Sequence, residues 1–348
     1  MATIQEVARL AGVSTATVSR SFNSPGLLSK ETERRVLEVA ERLNYRPRKA
    51  RLARNRPTAE NGLGTATIGF QFFAASPSDT LAVNDFYGPV LAGAMDEASE
   101  LGLNLLVHTT HRKRLSEELP KMVRDQAVTG MLLVGTADPE ILEMFSAQIG
   151  QIVLVDNRDA HGKFDGIVSD GFRGASEAVS YLYKLGHRRI GFLWETPEIV
   201  TFQDRHHGYL CALHEHGLTI DPALIFCTHG PEQDPQPEME EFLKRPDRPT
   251  AMFCVNDFNA VTFMRACRNV GVRVPEDISI IGFDDIQLAS HSHPALSTIR
   301  VQKEYLGRLG VRRLLYHLQN PNPRTLDEVP ILIEVPVSLV ERSSCRAL

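Results

Sequence analysis

The first fifty residues contain the side chains best suited to contact a nucleic acid. The segment 14–22 combines several hydroxyl groups with Arg20, whose guanidinium can donate two parallel hydrogen bonds to guanine O6 and N7. The methyl groups of Thr15 and Ala16 can touch a thymine methyl group. Short polar side chains usually bind phosphates and set the register on the duplex. We expect this role at four positions: Ser14, Thr17, Ser19 and Asn23.

A second set of polar side chains lies at the ends of apolar runs farther along the chain. Carboxylates accept hydrogen bonds from vicinal hydroxyls, an amide both donates and accepts, and a guanidinium supplies a fork of donors. Aromatic side chains among them add apolar or stacking faces. The pattern predicts a site for a sugar or another polar small molecule. The candidate ligand-binding residues are Phe86, Asp156, Trp194, Arg205, Asn256 and Asp284.

Each of these residues also has a purely structural interpretation. An asparagine after a strand often caps the next helix, and for Asn256 capping and ligand binding are equally expected. For Asp284, which no long helix directly follows, a ligand or hinge role is favoured. Arg205, predicted at the start of a helix, has a surface ion pair as its alternative. The aromatic residues are individually more typical of a core than of a stacking platform, and Trp194 is the best candidate because it ends a strand.

The charges of the chain are distributed unevenly. The net charge is −5, but residues 1–60 contain 12 Lys and Arg against 6 Asp and Glu, so the rest of the chain is acidic. A basic head on an acidic body is typical of a DNA-binding module attached to a body that does not bind DNA. With no apolar stretch of roughly 20 residues, no secretory signal and five cysteines without C-x-x-C spacing, we expect a cytoplasmic protein without a membrane span, metal or cofactor.

Three short helices are predicted within residues 1–48. Thr3 and Glu6 form a capping box, and Gly12 ends the first helix. Ser14 caps a second helix, and Pro47 stops the third. Two helices joined by a tight glycine turn predict a helix-turn-helix, with the second helix in the major groove of DNA.

Residues 66–348 alternate short apolar strands with amphipathic helices. Near-continuous apolar strands that alternate with helices indicate parallel sheets covered on both faces. About ten such units exceed one sheet, so the pattern predicts an α/β core of two doubly wound lobes with a ligand at the carboxyl ends of the strands. We expect strand 166–169 to begin the second lobe, 291–318 to rejoin the first lobe and 331–340 the second, giving three crossings.

The motifs of the chain resemble those of the lactose/galactose repressor (LacI/GalR) family. The resemblance begins at Ile4–Ser14, continues through Thr17–Arg20 and Tyr45–Pro47, and returns in the core at Gly186–Phe192 and Val274–Asp285. It implies a helix-turn-helix headpiece in residues 1–48, a hinge in 49–65 and a periplasmic-binding-protein-like core in 66–348. It also implies a homodimer on a palindromic operator and a small-molecule effector, most typically a sugar.

The resemblance also implies roles for individual residues. In the family, effector contacts come from the positions of Asp156, Arg205, Asn256 and Asp284, and Phe86 lies in a segment that lines the first lobe. The hinge departs from the family pattern, because Arg48 replaces an asparagine and Leu52 is the only nearby candidate for the leucine that enters the minor groove. The predicted DNA-binding set is therefore Thr3, Ser14, Thr15, Ala16, Thr17, Ser19, Arg20, Asn23, Tyr45, Arg48 and Leu52.

Two other functional classes fit the sequence less well. Asp156 with Asp284 could act as an acid/base pair in a sugar-cleaving enzyme, but the chain lacks a G-x-S-x-G elbow, an H-E-x-x-H zinc motif and a phosphate loop. A free solute-binding protein would share the core, but it would need a signal peptide and would not use residues 1–60. We therefore expect a DNA-binding transcriptional regulator that acts as a repressor, and not an enzyme.

Overall fold

The computed structural model describes the chain in two compact units, Met1–Ala66 and Thr67–Leu348. Each unit has its own core, and each is presented by itself below. The described residues are 4–15, 17–18, 21, 30–43, 66–75, 79–111, 119–195, 199–228, 234–320 and 329–348.

The first unit is a small helical headpiece. The helices Ile4–Ala11 and Lys30–Arg42 pack against each other. Gly12 ends the first helix with a φ of 66°, a conformation that a residue without Cβ adopts at little cost. Ser14 caps the next helical turn, because its Oγ accepts a hydrogen bond from the backbone N–H of Thr17 at 3.1 Å. The buried residues come from all three segments: Val7, Ala8, Ala11, Val18, Val36 and Ala40.

The second unit contains two six-stranded sheets in its described part. The first has the order β11-β5-β4-β3-β1-β2, and the second the order β12-β10-β9-β8-β6-β7. All neighbouring strands are parallel except the pair β10 and β12. The strands are β1 (Thr67–Ala74), β2 (Asn104–His111), β3 (Met131–Val134), β4 (Ile152–Val155), β5 (Asp165–Ser169), β6 (Ile190–Glu195), β7 (Ile225–Thr228), β8 (Ala251–Cys254), β9 (Ser279–Asp284), β10 (Ser297–Arg300), β11 (Leu332–Val335) and β12 (Ser338–Val340).

Helices cover both sheets and divide the unit into two lobes. All four residues of β3, β4 and β8 are buried, which explains why these strands are continuous apolar runs and not alternating ones. The helices of the first lobe are Tyr87–Glu100, Lys121–Arg124, Pro139–Ser146 and Lys303–Gln319. Those of the second lobe are Gly171–Lys184, Val200–Glu215, Gln236–Lys244, Asp257–Asn269 and Gln287–His291, with a 3-10 turn at Pro222–Leu224.

Among the described residues the chain crosses between the lobes three times, as predicted, but all three crossings fall later in the chain than expected. Strand β5, assigned from sequence to the second lobe, pairs with β4 in the first sheet, so the first crossing follows Ser169. Strand β10 remains in the second sheet, and β11 belongs to the first. The second and third crossings therefore lie between Arg300 and Lys303 and after Val335. A buried parallel strand has the same apolar pattern in either sheet, so its sequence does not say which sheet it joins.

Two long helices of the first lobe pack in close contact with each other. Gly93 of Tyr87–Glu100 and Gly307 of Lys303–Gln319 each lie against the backbone of the other helix, where a Cβ would clash. Arg312 reinforces this contact with two hydrogen bonds to the buried carboxylate of Glu97, at 2.8 and 3.0 Å. The helix that begins at Lys303 is thereby fixed to the helix that begins at Tyr87. Within the described ranges, no helix is long and apolar enough to span a membrane.

Candidate functional site

Polar side chains from both lobes meet at the carboxyl ends of the strands. Asp156 follows β4 in the first lobe, and Asp284 ends β9 in the second. The structure brings them together with Arg205, because the charges of Arg205 and Asp284 both act on the pKa of Asp156. Three of the six predicted ligand-binding residues, Asp156, Arg205 and Asp284, thus lie close enough for their charges to interact.

Asp156 is held by a hydroxyl group of its own lobe. Tyr87, at the start of the helix Tyr87–Glu100, donates from its Oη to Asp156 Oδ2 at 2.7 Å. Burial raises the pKa of Asp156 to about 6, while the Tyr87 hydrogen bond and Arg205 lower it and Asp284 raises it. The carboxylate therefore titrates close to neutral pH. Tyr87 was not among the residues predicted from the sequence, since no local pattern shows which group its hydroxyl contacts.

The second lobe holds its aspartate with a buried guanidinium. Arg205 is 2% exposed, and its Nη1 donates to the backbone carbonyl of Val255 at 2.6 Å. Its Nη2 lies 3.0 Å from Asp284 Oδ1, and its planar group covers the ring of Phe283 at 3.8 Å. Burial raises the pKa of Asp284, and Arg205 and then Lys303 oppose that shift. The surface ion pair considered for Arg205 is wrong, because the guanidinium is buried and its partner lies in the cleft.

The turn that carries Asp284 depends on a residue that the sequence analysis missed. Asp284 and Asp285 have φ angles of 111° and 52°, in a region that side chains other than glycine rarely adopt. Lys303, from the first lobe, donates from Nζ to the carbonyl of Asp284 at 2.6 Å and to that of Asp285 at 3.0 Å. Arg300 and Arg342 bind the carboxylate of Asp285, so this aspartate is engaged in the turn.

Asn256 forms the predicted helix cap. Its Oδ1 accepts from the backbone N–H of Asn259 at 2.8 Å and from the side chain of Asn259 at 3.0 Å. The geometry thus confirms that Asn256 caps the helix. A ligand could hydrogen-bond only to its Nδ2 amino group without displacing the cap. Asp257 is fully buried and bonds to Thr298 and to the backbone of Ile286, which makes it part of the fold.

The two predicted aromatic residues lie in different lobes. Phe86 packs edge-on against Tyr87, with ring centroids 4.9 Å apart. Trp194, near the end of β6, packs on His206 at 4.5 Å. His206 and Arg205 both lie inside the helix Val200–Glu215, so the prediction that Arg205 opens this helix is wrong by about a turn. Both residues are partly exposed.

Several buried polar atoms at this edge have no hydrogen-bond partner in the described part of the chain. They are Asp156 Oδ1, Asn157 Nδ2, Ser169 Oγ and Arg205 Nε, and the ion-paired Asp284 Oδ1 likewise lacks an aligned hydrogen bond. Buried polar groups in native proteins are nearly always paired, so these atoms are available to hydrogen-bond with water or with a bound ligand. Acceptors and donors occur side by side, which suits a ligand with several hydroxyl groups.

A hydrogen-bonded ion pair joins the two lobes beside this site. Arg158, two residues after Asp156, donates from Nη2 to Asp204 Oδ1 at 2.8 Å, and Asp204 directly precedes Arg205. No local sequence pattern predicts this contact, because its two residues are 46 positions apart in the chain. Among the described residues, no cluster of His, Cys, Asp and Glu has the geometry of a metal site.

The candidate nucleic-acid interface is only partly within the described residues. Ser14, Thr15 and Thr17 lie at the start of the helical turn after Gly12, and Thr15 is exposed. The hydroxyls of Ser14 and Thr17 lie 2.9 Å apart. The other predicted DNA contacts lie outside the described residues: Thr3, Ala16, Ser19, Arg20, Asn23, Tyr45, Arg48 and Leu52.

Comparisons with known proteins agree with both units. Residues 3–48 match the profile of bacterial regulatory proteins of the lacI family, and residues 179–345 match a periplasmic binding protein-like domain. The ribose operon repressor of Haemophilus influenzae is 33% identical over 92% of this chain and 93% of its own length. The structure of a transcriptional regulator CelR–cellobiose complex matches with a TM-score of 0.71 at 25% identity, covering 99% of this chain and 100% of that one. A lac repressor dimer bound to operator and an anti-inducer matches with a TM-score of 0.68 at 25% identity and 99% coverage of both chains.

Proposed function

We infer the function of this chain from its family, because it belongs to the LacI family of bacterial regulatory proteins. It is a DNA-binding transcriptional regulator whose affinity for an operator is changed by a small molecule. We assign residues 1–48 to DNA binding, 49–65 to the hinge and 66–348 to effector binding and dimerisation. The regulator acts as a repressor, in the cytoplasm, as a homodimer on a palindromic operator.

The observation that carries this proposal is the set of unpaired buried polar atoms between the lobes. They come from both lobes, because Asp156 and Ser169 belong to the first and Arg205 to the second. A ligand that bonds to all of them must touch both lobes at once. It therefore stabilises one arrangement of the lobes over others, which is the condition for a ligand to shift a conformational equilibrium.

The proposed effector is a sugar. The unpaired atoms include two carboxylate oxygens, an amide, a hydroxyl and one guanidinium N–H, which match alternating donor and acceptor hydroxyls. Phe86 and Trp194 supply partly exposed aromatic faces on opposite lobes. Asp156, Arg205, Asn256 and Asp284 are the proposed polar contacts, and the Asn256 contact is made through the amide group that does not cap the helix.

The proposed reading head is the helical turn that begins at Ser14. The two hydroxyls that lie beside each other at its start, on Ser14 and Thr17, can approach a phosphate, and Thr15 is exposed for base contact. Arg20 supplies the guanine contact, and a pair of headpieces matches the symmetry of a palindromic operator. The effector acts by changing the arrangement of the lobes, with the three crossings seen among the described residues as the hinge.

The test is a gel-shift assay on operator DNA with and without D-ribose, D-xylulose and cellobiose. The wild-type protein should bind a palindromic promoter site and respond to one of the sugars. Arg20→Ala should lose sequence preference, with a discrimination loss of about 1–3 kcal/mol for the contacted base. Arg205→Ala should keep DNA binding in the absence of sugar but lose the response.

Two outcomes would refute the proposal. One is protein that ignores palindromic promoter DNA at moderate salt with and without these sugars. The other is a bound sugar that is recovered chemically changed after incubation, because that result would reveal an enzyme. Thermal stability provides an independent measure of binding, since a ligand at 100 times its Kd raises the stability by about 2.7 kcal/mol.

A further inference from the structure

We propose that Lys303 is a positioning residue, which holds the turn that carries Asp284 and ties this turn to the first lobe. The Asp284–Asp285 turn lies at the end of β9 in the second lobe, and Lys303 begins the helix Lys303–Gln319 of the first. The inference rests on the proposed function, because Asp284 is one of its proposed ligand contacts. It adds that a ligand bound by Asp284 acts on the first lobe through Lys303.

The backbone of the Asp284–Asp285 turn depends on outside support. Its two φ angles, 111° and 52°, lie where side chains other than glycine are rare, and such conformations persist only when the surrounding contacts hold them. Arg300 and Arg342 hold the side chain of Asp285 from within the second lobe. Lys303 holds the backbone itself, because its Nζ donates to both carbonyls of the turn, at 2.6 and 3.0 Å. This contact therefore runs from a side chain of one lobe to the backbone of the other.

The contact of Lys303 is buried, so water cannot easily replace it. Lys303 is 8% exposed, and a buried ammonium group is costly unless acceptors surround it. If the turn moved away, the ammonium group and two carbonyls would lose their partners where little water can enter. A shift of the turn must therefore either break these hydrogen bonds or carry the start of the helix with it.

The helix that begins at Lys303 is packed too closely to shift by itself. Gly93 of the helix Tyr87–Glu100 lies against the backbone of Glu304, directly after Lys303, where no Cβ would fit. Packed elements without space between them move together, because their side chains and backbones have no room to slide. The helices Tyr87–Glu100 and Lys303–Gln319 therefore act as one unit, the helix pair.

The first residues of the helix pair contact both halves of the cleft. Tyr87 donates to Asp156 of the first lobe at 2.7 Å, and Lys303 donates to the turn that carries Asp284 of the second. The position of the helix pair thus affects both aspartates. A ligand that changes the geometry of the Asp284–Asp285 turn must act on the helix pair, and Lys303 is the contact that carries this effect.

A second contact across the lobes lacks these properties. The side chains of Arg158 and Asp204 are 33% and 15% exposed, so water and salt screen their ion pair in part. Both partners are side chains, which can follow a shift of the lobes by rotating. The coupling role therefore falls to Lys303.

Hydrogen–deuterium exchange on the full-length protein without ligand is the first test. Lys303→Met keeps the apolar stem and removes the ammonium group. The amides of Ile286, next to the turn, and of Val301, which donates to the carbonyl of Asp284, should exchange at least about tenfold faster than in the wild type. The reason is that hydrogen bonds from a charged donor are among the stronger ones.

The matched control is Arg313→Met in the same helix. Arg313 binds Asp165 within the first lobe, away from the turn. Its removal should lower the stability of the core but leave the exchange of Ile286 and Val301 unchanged. A general loosening of the helix would instead affect both variants alike.

The second test measures the response to a sugar at saturation. Operator Kd is measured by gel shift with and without D-ribose, D-xylulose and cellobiose, and sugar Kd by isothermal titration calorimetry. The wild type should respond by about 5- to 150-fold, the usual range of allosteric coupling, and Lys303→Met by less than about threefold. The Kd of Lys303→Met for the sugar should rise by about tenfold, because the binding-competent turn is only partly populated. Arg313→Met should keep the wild-type response.

Lys303→Gln is the second variant, since it keeps a hydrogen-bond donor but not the charge. Its exchange rates and its response should lie between those of the wild type and Lys303→Met. It carries both tests if Lys303→Met does not fold.

The outcomes separate this inference from the proposed function. Unchanged exchange near the turn in the Lys303 variants overturns the inference, and so does a full response at saturating sugar. Both results leave a sugar-responsive regulator intact. If no sugar alters the operator affinity of the wild type, the proposed sugar response fails for this panel, and the exchange experiment still decides whether Lys303 holds the turn.

Discussion

The two halves of the cleft are built on the same plan but carry different chemistry. Asp156 follows β4 and Asp284 ends β9, and each of these strands is third in its sheet. Both aspartates have positive φ angles, 56° and 111°. Their partners come from helices that follow β1 and β6, each fifth in its sheet. The partner is Tyr87 in the first lobe and Arg205 in the second.

This difference shows how one residue type acquires two electrostatic roles. In the second lobe burial raises the pKa of Asp284, and the guanidinium of Arg205 opposes this shift without cancelling it. In the first lobe a neutral hydroxyl offsets burial only in part, so the pKa of Asp156 rises to about 6. The second lobe therefore provides an aspartate that is ion-paired to a buried guanidinium, and the first lobe provides one whose hydrogen-bond partner is a neutral hydroxyl. Substitutions in each half test this division.

The largest effect is expected in the second lobe, on removal of Arg205. Arg205→Met leaves Asp284 buried without its cation and removes the contact with Phe283. Breaking a buried ion pair in this way costs about 3–5 kcal/mol. Urea unfolding should show this loss in the free energy of unfolding of the core.

The matched control is Arg273→Met, which removes an exposed arginine paired with Asp277. Exposed pairs of this kind contribute little to stability, because water and salt screen the two charges. If the two variants lost equal stability, the buried Arg205–Asp284 ion pair would not have the structural weight assigned to it here.

The first lobe should respond to Asp156→Asn in the opposite direction. The pKa of Asp156 is about 6 in the folded protein and near 3.8 in the unfolded chain, so its ionisation destabilises the fold as pH rises from about 4 to 6. At pH 8 the neutral variant should therefore be more stable, by on the order of 2 kcal/mol. Near pH 4 the gain should disappear. Urea unfolding as a function of pH measures both.

Asp165→Asn is the control with the opposite sign. Asp165 is buried in the same lobe, but His317, Arg313 and the backbone of Ile331 bind it and, against the effect of burial, lower its pKa to about 2. Its ionised form stabilises the fold at neutral pH, and that stability is lost as pH falls through about 4 towards 2. Asp165→Asn should thus be less stable than wild type at pH 8. Equal signs for the two variants would contradict the claim that ionised Asp156 destabilises the fold, whereas ionised Asp165 stabilises it.

The sequence predicted the positions of the aspartates but not their partners. Strands 131–134 and 152–155 are where the apolar runs placed them, and a polar residue after a buried parallel strand must lie at the cleft edge. The Tyr87–Asp156 contact joins residues 69 positions apart, and no local pattern encodes it. Lys303 was missed for the same reason, since its role depends on where the chain crosses between lobes.

Element boundaries failed where tertiary packing outweighed local preference. The helix Val200–Glu215 begins with Val200 and Thr201, two β-branched residues that seldom signal a helix start. Thr201 is nevertheless buried, and its carbonyl lies close to Gly171 of the neighbouring helix. Packing against the helix Gly171–Lys184 lets the helix Val200–Glu215 begin about a turn earlier than its sequence indicates. Arg205 therefore lies inside the helix and not at its start.

A smaller effect is expected from Tyr87→Phe. The change removes the hydroxyl and leaves Asp156 Oδ2 buried without its donor, which costs about 1.5–3 kcal/mol while the carboxylate is ionised. Because the Tyr87 hydrogen bond lowers the pKa of Asp156, its removal should raise that pKa further. The loss of stability should be largest at pH 8 and shrink below pH 6. Tyr209→Phe removes a hydroxyl bonded to a neutral carbonyl, so its loss should not vary over this range.

The smallest effect on stability is expected from the caps of the helices that follow the fourth strand of each sheet. The helix after β8 is capped by Asn256, whereas the helix after β3 begins at Pro139. Asn256→Ala should cost about 1 kcal/mol for the lost cap, and so should Asp170→Ala, which removes the cap of the helix Gly171–Lys184. Only Asn256→Ala should also weaken sugar binding in the calorimeter. If both variants bind the sugar as wild type does, Asn256 is a cap alone, and the second lobe contributes its ligand contacts through Arg205 and Asp284.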